Sequence, residues 1–316
     1  MASSRKLVIY AALIGNGLIA IMKFIAAFIT GSSAMLSEGV HSVVDTGNQV
    51  LLLYGLKRAA KPADEKFPFG HGKEIYFWSF VVAILIFAVG AGISLYEGIH
   101  SIIDPHPLDN LTINYVVLSL AIVFEGGAWY FAFREFNKSR GSMSYLEAVQ
   151  RGKDPSMFVV LFEDSAAMLG LLVALLAMIL TQVTGNLYFD GFASIVIGLI
   201  LGGTAVWLAV ETKGLLIGER ANIEVVDGIR TLAEELPGID HVNEVLTMHM
   251  GPEYILVNIS VEFRDEADAT EIEQSVARLD RDIKSRFLNV RRVFVEAESR
   301  TVNDGNSDPA ASVPSP

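Results

Sequence analysis

The sequence of 316 residues contains no cysteine, which excludes disulfides, thiolate metal sites and cysteine nucleophiles. It is also poor in charge. Only 19% of residues are charged against 52% hydrophobic, and the mean hydropathy is +0.43. Such a chain is too apolar for an ordinary soluble protein of this length and points to the membrane. No phosphate-binding loop, HExxH pair or nucleophile elbow is present, so an enzyme reading lacks support. The formal charge of −12 is placed unevenly: from Thr212 onward 11 Lys/Arg face 20 Asp/Glu, and before it 13 face 16. The acidity therefore belongs to a C-terminal soluble portion, which argues against nucleic acid as a partner.

What is present is a series of long apolar runs. Six segments are long enough to span a bilayer: Leu7–Ile29, Ser33–Leu56, Ile75–Ile99, Leu111–Phe133, Ser156–Thr181 and Phe189–Val210, each near the roughly 20 residues that a spanning helix needs. The first is too long for a signal h-region and has no convincing cleavage site. Three connections, TGSS, HSIIDPHPLDN and TGNLYFD, carry no Lys or Arg. The others carry Lys57, Arg58, Lys61, Lys66 and Lys73, then Arg134, Lys138, Arg140, Arg151 and Lys153. The positive-inside rule then places both termini and the two basic loops in the cytoplasm. Gly90 and Gly92 in the third span and Gly198 and Gly202 in the sixth make those two candidates to pack closely.

Within the apolar pattern lie groups that a membrane helix should avoid. Glu38, His41 and Asp45 are three and four residues apart and share one helical face. A carboxylate at mid-membrane costs roughly 2.5–3.5 kcal/mol on insertion scales, so such groups meet a partner or a polar cavity. The fifth span adds Glu163 and Asp164, which point about 100° apart around their helix. His41, Asp45 and Asp164 supply one imidazole and two carboxylates, a set that suits zinc and, less exclusively, Mn, Fe or Co. Magnesium or calcium would ask for oxygen ligands throughout. Glu38, Glu163 or a water completes a four-fold shell. Structural ion pairs are the plainer account, but Lys23 is the lone Lys or Arg well inside a span, and it is expected to snorkel or to meet a carboxylate. Asn16, Asn48 and Gln49 line the same cavity or hydrogen-bond between helices. Asp190 reads as an N-cap, and Glu97 and Glu125 as interfacial groups near helix ends.

After Glu211 the pattern changes. Ile223–Leu236 reads as an amphipathic helix ended by Pro237-Gly238, and Val242–Met250 and Tyr254–Phe263 as strands flanking Gly251-Pro252. Thr270–Phe287 follows as a helix with Ile272, Val276, Leu279 and Ile283 on one stripe, and Arg292–Ala297 as a last strand. The order αββαβ makes a small α+β domain of about 85 residues, within the range of independent folding. The expected organisation is a six-helix transmembrane domain over 1–211, the α+β domain over 212–298 and a tail over 299–316 that cannot bury a core.

The motifs SSAMLSEGVHSVVDTGNQ, FPFGHGKEIYFWSF and VVLFEDSAAMLG, with six spans and a small α+β domain, resemble the cation diffusion facilitator family from about Leu7 to Glu298. FGHGKEIYFW and LFEDSAA look most like the branch that contains bacterial homologues of mitochondrial zinc transporters. The resemblance implies a homodimeric metal/proton antiporter with its transport site between the second and fifth spans. It also implies a metallochaperone-like cytosolic domain that dimerises. His41 and Asp45 match the family's paired ligands in the second span and Asp164 matches one in the fifth. Val160 stands where a further ligand is usual, with Glu163 the natural candidate to compensate. In the loop before the third span, Asp64 and His71 match a second metal site of some members, while Phe67 replaces a histidine. There His71 is expected instead to cap the third span or to contact the cytosolic domain. His249, Glu296 and Glu298 are candidates for a regulatory site, although most of the family's histidines are absent and a domain with little or no metal is expected.

The function expected is efflux of a divalent metal, zinc or else Mn, Fe or Co, exchanged for protons by alternating access, with no resident cofactor. Deprotonated ligands bind metal and protonated ones release it, so exchange follows from a shared site; histidine, with an unperturbed pKa of about 6.5, suits the proton carrier. The competing reading is a metal-sensing or scaffolding membrane protein with a vestigial transport site. A bacterial inner membrane is the expected location, since the short N-terminus lacks a transit-like extension.

Overall fold

In the computed structural model, residues 2–107, 110–141, 143–145, 148, 152–153 and 155–299 are described. The chain divides into two compact units, one ending at Ile217 and the other beginning at Gly218. The expected disordered tail lies, from residue 300, outside the described residues.

Among the described residues, the first unit is a bundle of six long helices: α1 (Ala2–Thr30), α2 (Ser33–Ala59), α3 (Glu74–Ile103), α4 (Leu111–Ser139), α5 (Pro155–Thr184) and α6 (Tyr188–Ile217). Their stops follow the local sequence. Gly31, at φ +69°, takes a left-handed conformation that a side chain would resist, and so ends α1. Ser32 then caps α2 by accepting a hydrogen bond from the Met35 amide at 3.1 Å. Asp190, in the first turn of α6, extends that cap rather than closing its own helix. It accepts from Ser32 Oγ at 2.5 Å, from the Ser33 amide at 2.6 Å and from Ser33 Oγ at 2.8 Å. A carboxylate at these free amides also complements the positive end of the α2 dipole.

Among the described residues, four helices are long and apolar enough to cross a membrane: Glu74–Ile103, Leu111–Lys138, Phe158–Thr184 and Tyr188–Ile217. In α1 the apolar stretch that qualifies as a shorter helix is Asn16–Thr30. The polar face of α2 keeps it out of that set, although at 27 residues it is long enough. Large apolar side chains point outward along the bundle, Phe28 being 93% exposed and Val123 71%, as expected of a surface covered by lipid. The protein is an integral membrane protein.

Helices α3 and α6 do pack together. Gly198 faces Leu95, and Gly202 faces Ala91 at the end of a π-helical turn, Ile86–Ala91. Their tightest crossing is at a pair that the spacing of small residues left out, Gly98 and Gly191. There a Cβ on Gly98 would stand 2.8 Å from the Gly191 carbonyl oxygen. Central to the bundle is α2, which packs on α1, α3, α5 and α6.

The second unit comprises α7 (Ile223–Glu234), β1 (Ile239–Gly251), β2 (Tyr254–Phe263), α8 (Ala269–Arg286) and β3 (Val290–Ala297). Strand β2 is central, antiparallel to β1 and parallel to β3. Its alternating Ile255, Val257, Ile259 and Val261 are buried, together with Ile229 and Ala233 of α7 and Leu279 and Ile283 of α8. Period two on the strand and the three-to-four spacing on the helices thus meet in one apolar layer. Asp268 caps α8 through the Glu271 amide at 2.8 Å.

Candidate functional site

The polar face of α2 is buried inside the bundle. Glu38 is fully buried and His41 is 1% exposed, while Asp45 is partly open. His41 Nδ1 lies 3.4 Å from Asp45 Oδ1. Neither ring nitrogen makes a well-aligned hydrogen bond among the described residues, so the imidazole is a buried donor set with spare capacity. One helical turn on, Asn48 donates to Glu163 Oε1 at 2.6 Å, and Glu163 stands beside Asp45. The adjacent Asp164 turns a different way, as the 100° step around α5 requires.

That turn carries Asp164 to a small cavity, of about 20 Å³, which it lines together with Asn16, Ser42, Asp45, Gln49 and Glu125. One water needs roughly 10–15 Å³ by this measure, so the space suits a single water or ion. Asp45 and Asp164, the carboxylates that the sequence singled out on two different helices, therefore face one chamber. Three His, Asp or Glu side chains do not converge closely enough to hold a metal among the described residues.

Lys23 meets carboxylates. Its ammonium is fully buried and donates to Glu38 Oε2 at 3.1 Å, Ser42 Oγ at 2.8 Å and Glu125 Oε1 at 2.7 Å. Glu38 is held on its other side as well, because its Oε1 lies where a side chain on Gly170 of α5 would go. Glu125 is a correction to the interfacial reading: it stands halfway along α4 and packs inward, 15% exposed, on Lys23. A signal for it existed, since a second membrane carboxylate offers a buried Lys23 a partner, but the partner helix could not be chosen from spacing alone.

Outside the spans, the loop after α2 brings Asp64 and His71 together, 2.9 Å apart from Oδ2 to Nε2. Asp64 Oδ1 also accepts from the Phe67 amide at 2.7 Å. These contacts, the imidazole first, hold the Asp64 carboxyl below its usual value. Phe67 packs its ring on His71 with centroids 4.6 Å apart, and the His71 carbonyl accepts from the Glu74 amide at 2.9 Å as α3 begins.

In the second unit, the three candidates are not gathered. His249 is buried on β1, paired with Ile255 at one end of β2. Glu296 pairs with Ser260 five residues further along β2, about 16 Å away at 3.3 Å per residue. Glu298 follows β3 and accepts from Ser260 Oγ at 2.8 Å.

The cation efflux transmembrane domain matches residues 9–217. The chain is 35% identical over 265 residues to a protein of Xenopus laevis named proton-coupled zinc antiporter SLC30A9, mitochondrial, covering 83% of this chain and 47% of that one. It is 27% identical over 332 residues to metal tolerance protein C4 of Arabidopsis thaliana, covering 92% and 72% respectively. A solved nickel form of the MamM C-terminal domain aligns with 25% of this chain and 99% of its own, at 19% identity and a TM-score of 0.24. The chain spans about half the length of the mitochondrial antiporters it matches.

Proposed function

The chain belongs to the cation efflux family, and from that premise we propose that it moves a divalent metal, zinc in the first place, across a membrane in exchange for protons. The observation that carries this reading is the chamber shared by Asp45 and Asp164 on two helices of an otherwise apolar bundle. His41, its Nδ1 3.4 Å from Asp45 Oδ1 and neither ring nitrogen in a well-aligned hydrogen bond among the described residues, supplies the imidazole that favours zinc over a harder cation. The metal is cargo, and His41, Asp45 and Asp164 are its proposed ligands, with Glu163 or water completing the shell.

The same groups explain coupling. Asp45 and Glu163 stand side by side, and two neighbouring carboxylates need a counter-charge between them. A proton supplies it in one state and the metal in the other, so loading metal releases protons. α1 and α2 complete six spans, both termini and the basic loops lie on the cytoplasmic side, as their Lys and Arg content supports, and the second unit joins two copies in a homodimer. Regulatory metal at His249, Glu296 and Glu298 has no support from their separation.

The test is Zn²⁺ uptake by the full chain in liposomes under an imposed pH gradient. Wild type accumulates Zn²⁺ and dissipates the gradient, and Asp164→Asn lowers uptake about 100-fold, as loss of a ligand does. Tight binding without flux in wild type would instead support the sensor or scaffold reading.

A further inference from the structure

The carboxylates of the bundle already hold a cation, and it is the chain's own. Asp45 from α2, Glu125 from α4 and Asp164 from α5 line the chamber, and the bundle also buries Glu38 of α2 and Glu163 of α5 outside that lining. Against these acids the one buried ammonium among the described residues is Lys23, from α1, which divides itself between Glu38, Ser42 and Glu125. Glu38 and Glu125 each give one oxygen to Lys23, at 3.1 and 2.7 Å, while the other oxygen of each is buried with no hydrogen-bond partner among the described residues. What sets Glu125 apart is that it lines the chamber with Asp45 and Asp164. Glu38, by contrast, is pressed against Gly170 and is not part of the chamber wall.

We propose that Glu125 is the carboxylate shared between Lys23 and the cargo, so that the Lys23 ammonium acts as a tethered competitor that the metal displaces on entry and that returns when it leaves. This rests on the transport reading above and adds to it a third helix, α4, and the ligand that Val160 does not provide. The chemistry is that of an exchange of one cation for another on a fixed anion. Lys23 cannot leave, so each departure of metal finds a replacement charge within reach, and Glu125 is never left buried and unpaired, a costly state. Ser42 offers the ammonium a neutral resting partner during the exchange. Lys23 is thus a positioning residue, while Glu125 touches the cargo.

The experiment is calorimetric titration of the purified full chain with Zn²⁺ at fixed pH, with liposome uptake measured alongside. Glu125→Gln, close to isosteric, lowers the apparent affinity about tenfold or more, the range seen when a metal loses one supporting group. Lys23→Gln raises it about tenfold, because the competitor is gone. In the Glu125→Gln background the Lys23→Gln effect falls below about threefold, since the two changes act through one contact and are not additive. Unchanged affinity in Glu125→Gln, or independent effects of the two substitutions, overturns the proposal while leaving transport itself standing. If Lys23→Gln does not fold, Glu125→Gln alone decides. A wild type that neither binds nor moves Zn²⁺ removes the transport reading and this inference with it.

Discussion

The two units bury polar groups in opposite ways. In the first, the buried charges Lys23, Glu38 and Glu163 sit deep in a bundle. Hydrogen-bonding atoms of Glu38, His41, Asp45, Asn48 and Glu125 have no partner among the described residues. In the second, the buried polar residues among those described are His249 and Ser260, no atom of that unit is among the unpartnered ones, and the core is otherwise aliphatic. An unpartnered polar atom away from water costs about 1–3 kcal/mol. A fold tolerates several in one place when something that arrives later pairs them. On the proposed reading the membrane unit leaves those atoms for a guest, while the second unit pairs its polar groups within itself.

Substitution separates these two designs most sharply at Asp45. Asp45→Asn keeps the size of a chamber-lining side chain and removes its charge. Zn²⁺ flux in liposomes falls about 100-fold, while the thermal melting of the detergent-solubilised protein holds or rises, because a buried charge without its partner destabilises. Flux within threefold of wild type would detach the chamber from transport. The counterpart in the second unit is Leu279→Ala, at a fully buried position. It costs about 2–5 kcal/mol of local stability, seen as faster amide hydrogen exchange along β2, with little change in flux. Unaltered β2 protection would show that α8 does not close this core.

Those two positions also show what could be read from sequence and what could not. Leu279 lies on a stripe with Ile272, Val276 and Ile283, and β2 alternates with period two, so the second unit was legible from pattern alone. Its helix and strand bounds shift by three residues or fewer. His41 and Asp45 were legible because a three-to-four spacing puts residues on one helical face, whatever the partner. Asp164 needed a family resemblance to be preferred over Glu163, since adjacent residues differ only in direction around the helix. Glu125 was misread because its meaning depends on which helices are neighbours. Periodicity fixes faces within a helix, not the pairing of helices, and so, although a mid-span Glu125 was a possible partner for Lys23, the pairing of α1 with α4 could not be chosen from spacing. The same limit applied to the α3–α6 crossing, where Gly98 and Gly191 matter more than the expected GxxxG pair.

That crossing gives a smaller test of how the membrane unit is held together. At Gly98 an added Cβ would lie 2.7 Å from the Ile195 amide nitrogen and 2.8 Å from the Gly191 oxygen. These are backbone atoms, so the helices themselves must part. Gly98→Ala lowers stability by about 1–3 kcal/mol, read as an earlier melting transition in detergent. Gly203→Ala, with open space around its position, serves as the control and leaves the transition in place. Equal behaviour of the two variants would mean that α3 and α6 are not in close contact there.

The smallest effect is expected where a charged contact lies outside the spans, in the loop of Asp64 and His71. Asp64 is held below its ordinary carboxylate value by the His71 imidazole and the Phe67 amide. A carboxyl depressed in the fold stabilises it above the unfolded value, about 3.9, and that contribution is lost as pH falls through the lower folded value. Carbon-13 titration of a protein labelled at aspartate should show Asp64 with a midpoint below 3.9, and His71→Ala should return it toward that value. Zn²⁺ flux near neutral pH should stay within about twofold, because neither Asp64 nor His71 lines the chamber. Should His71→Ala instead cut flux as deeply as Asp45→Asn, this loop would join the first unit's chamber in handling the cargo, and the contrast between orphaned and satisfied polar groups would no longer mark where the metal goes.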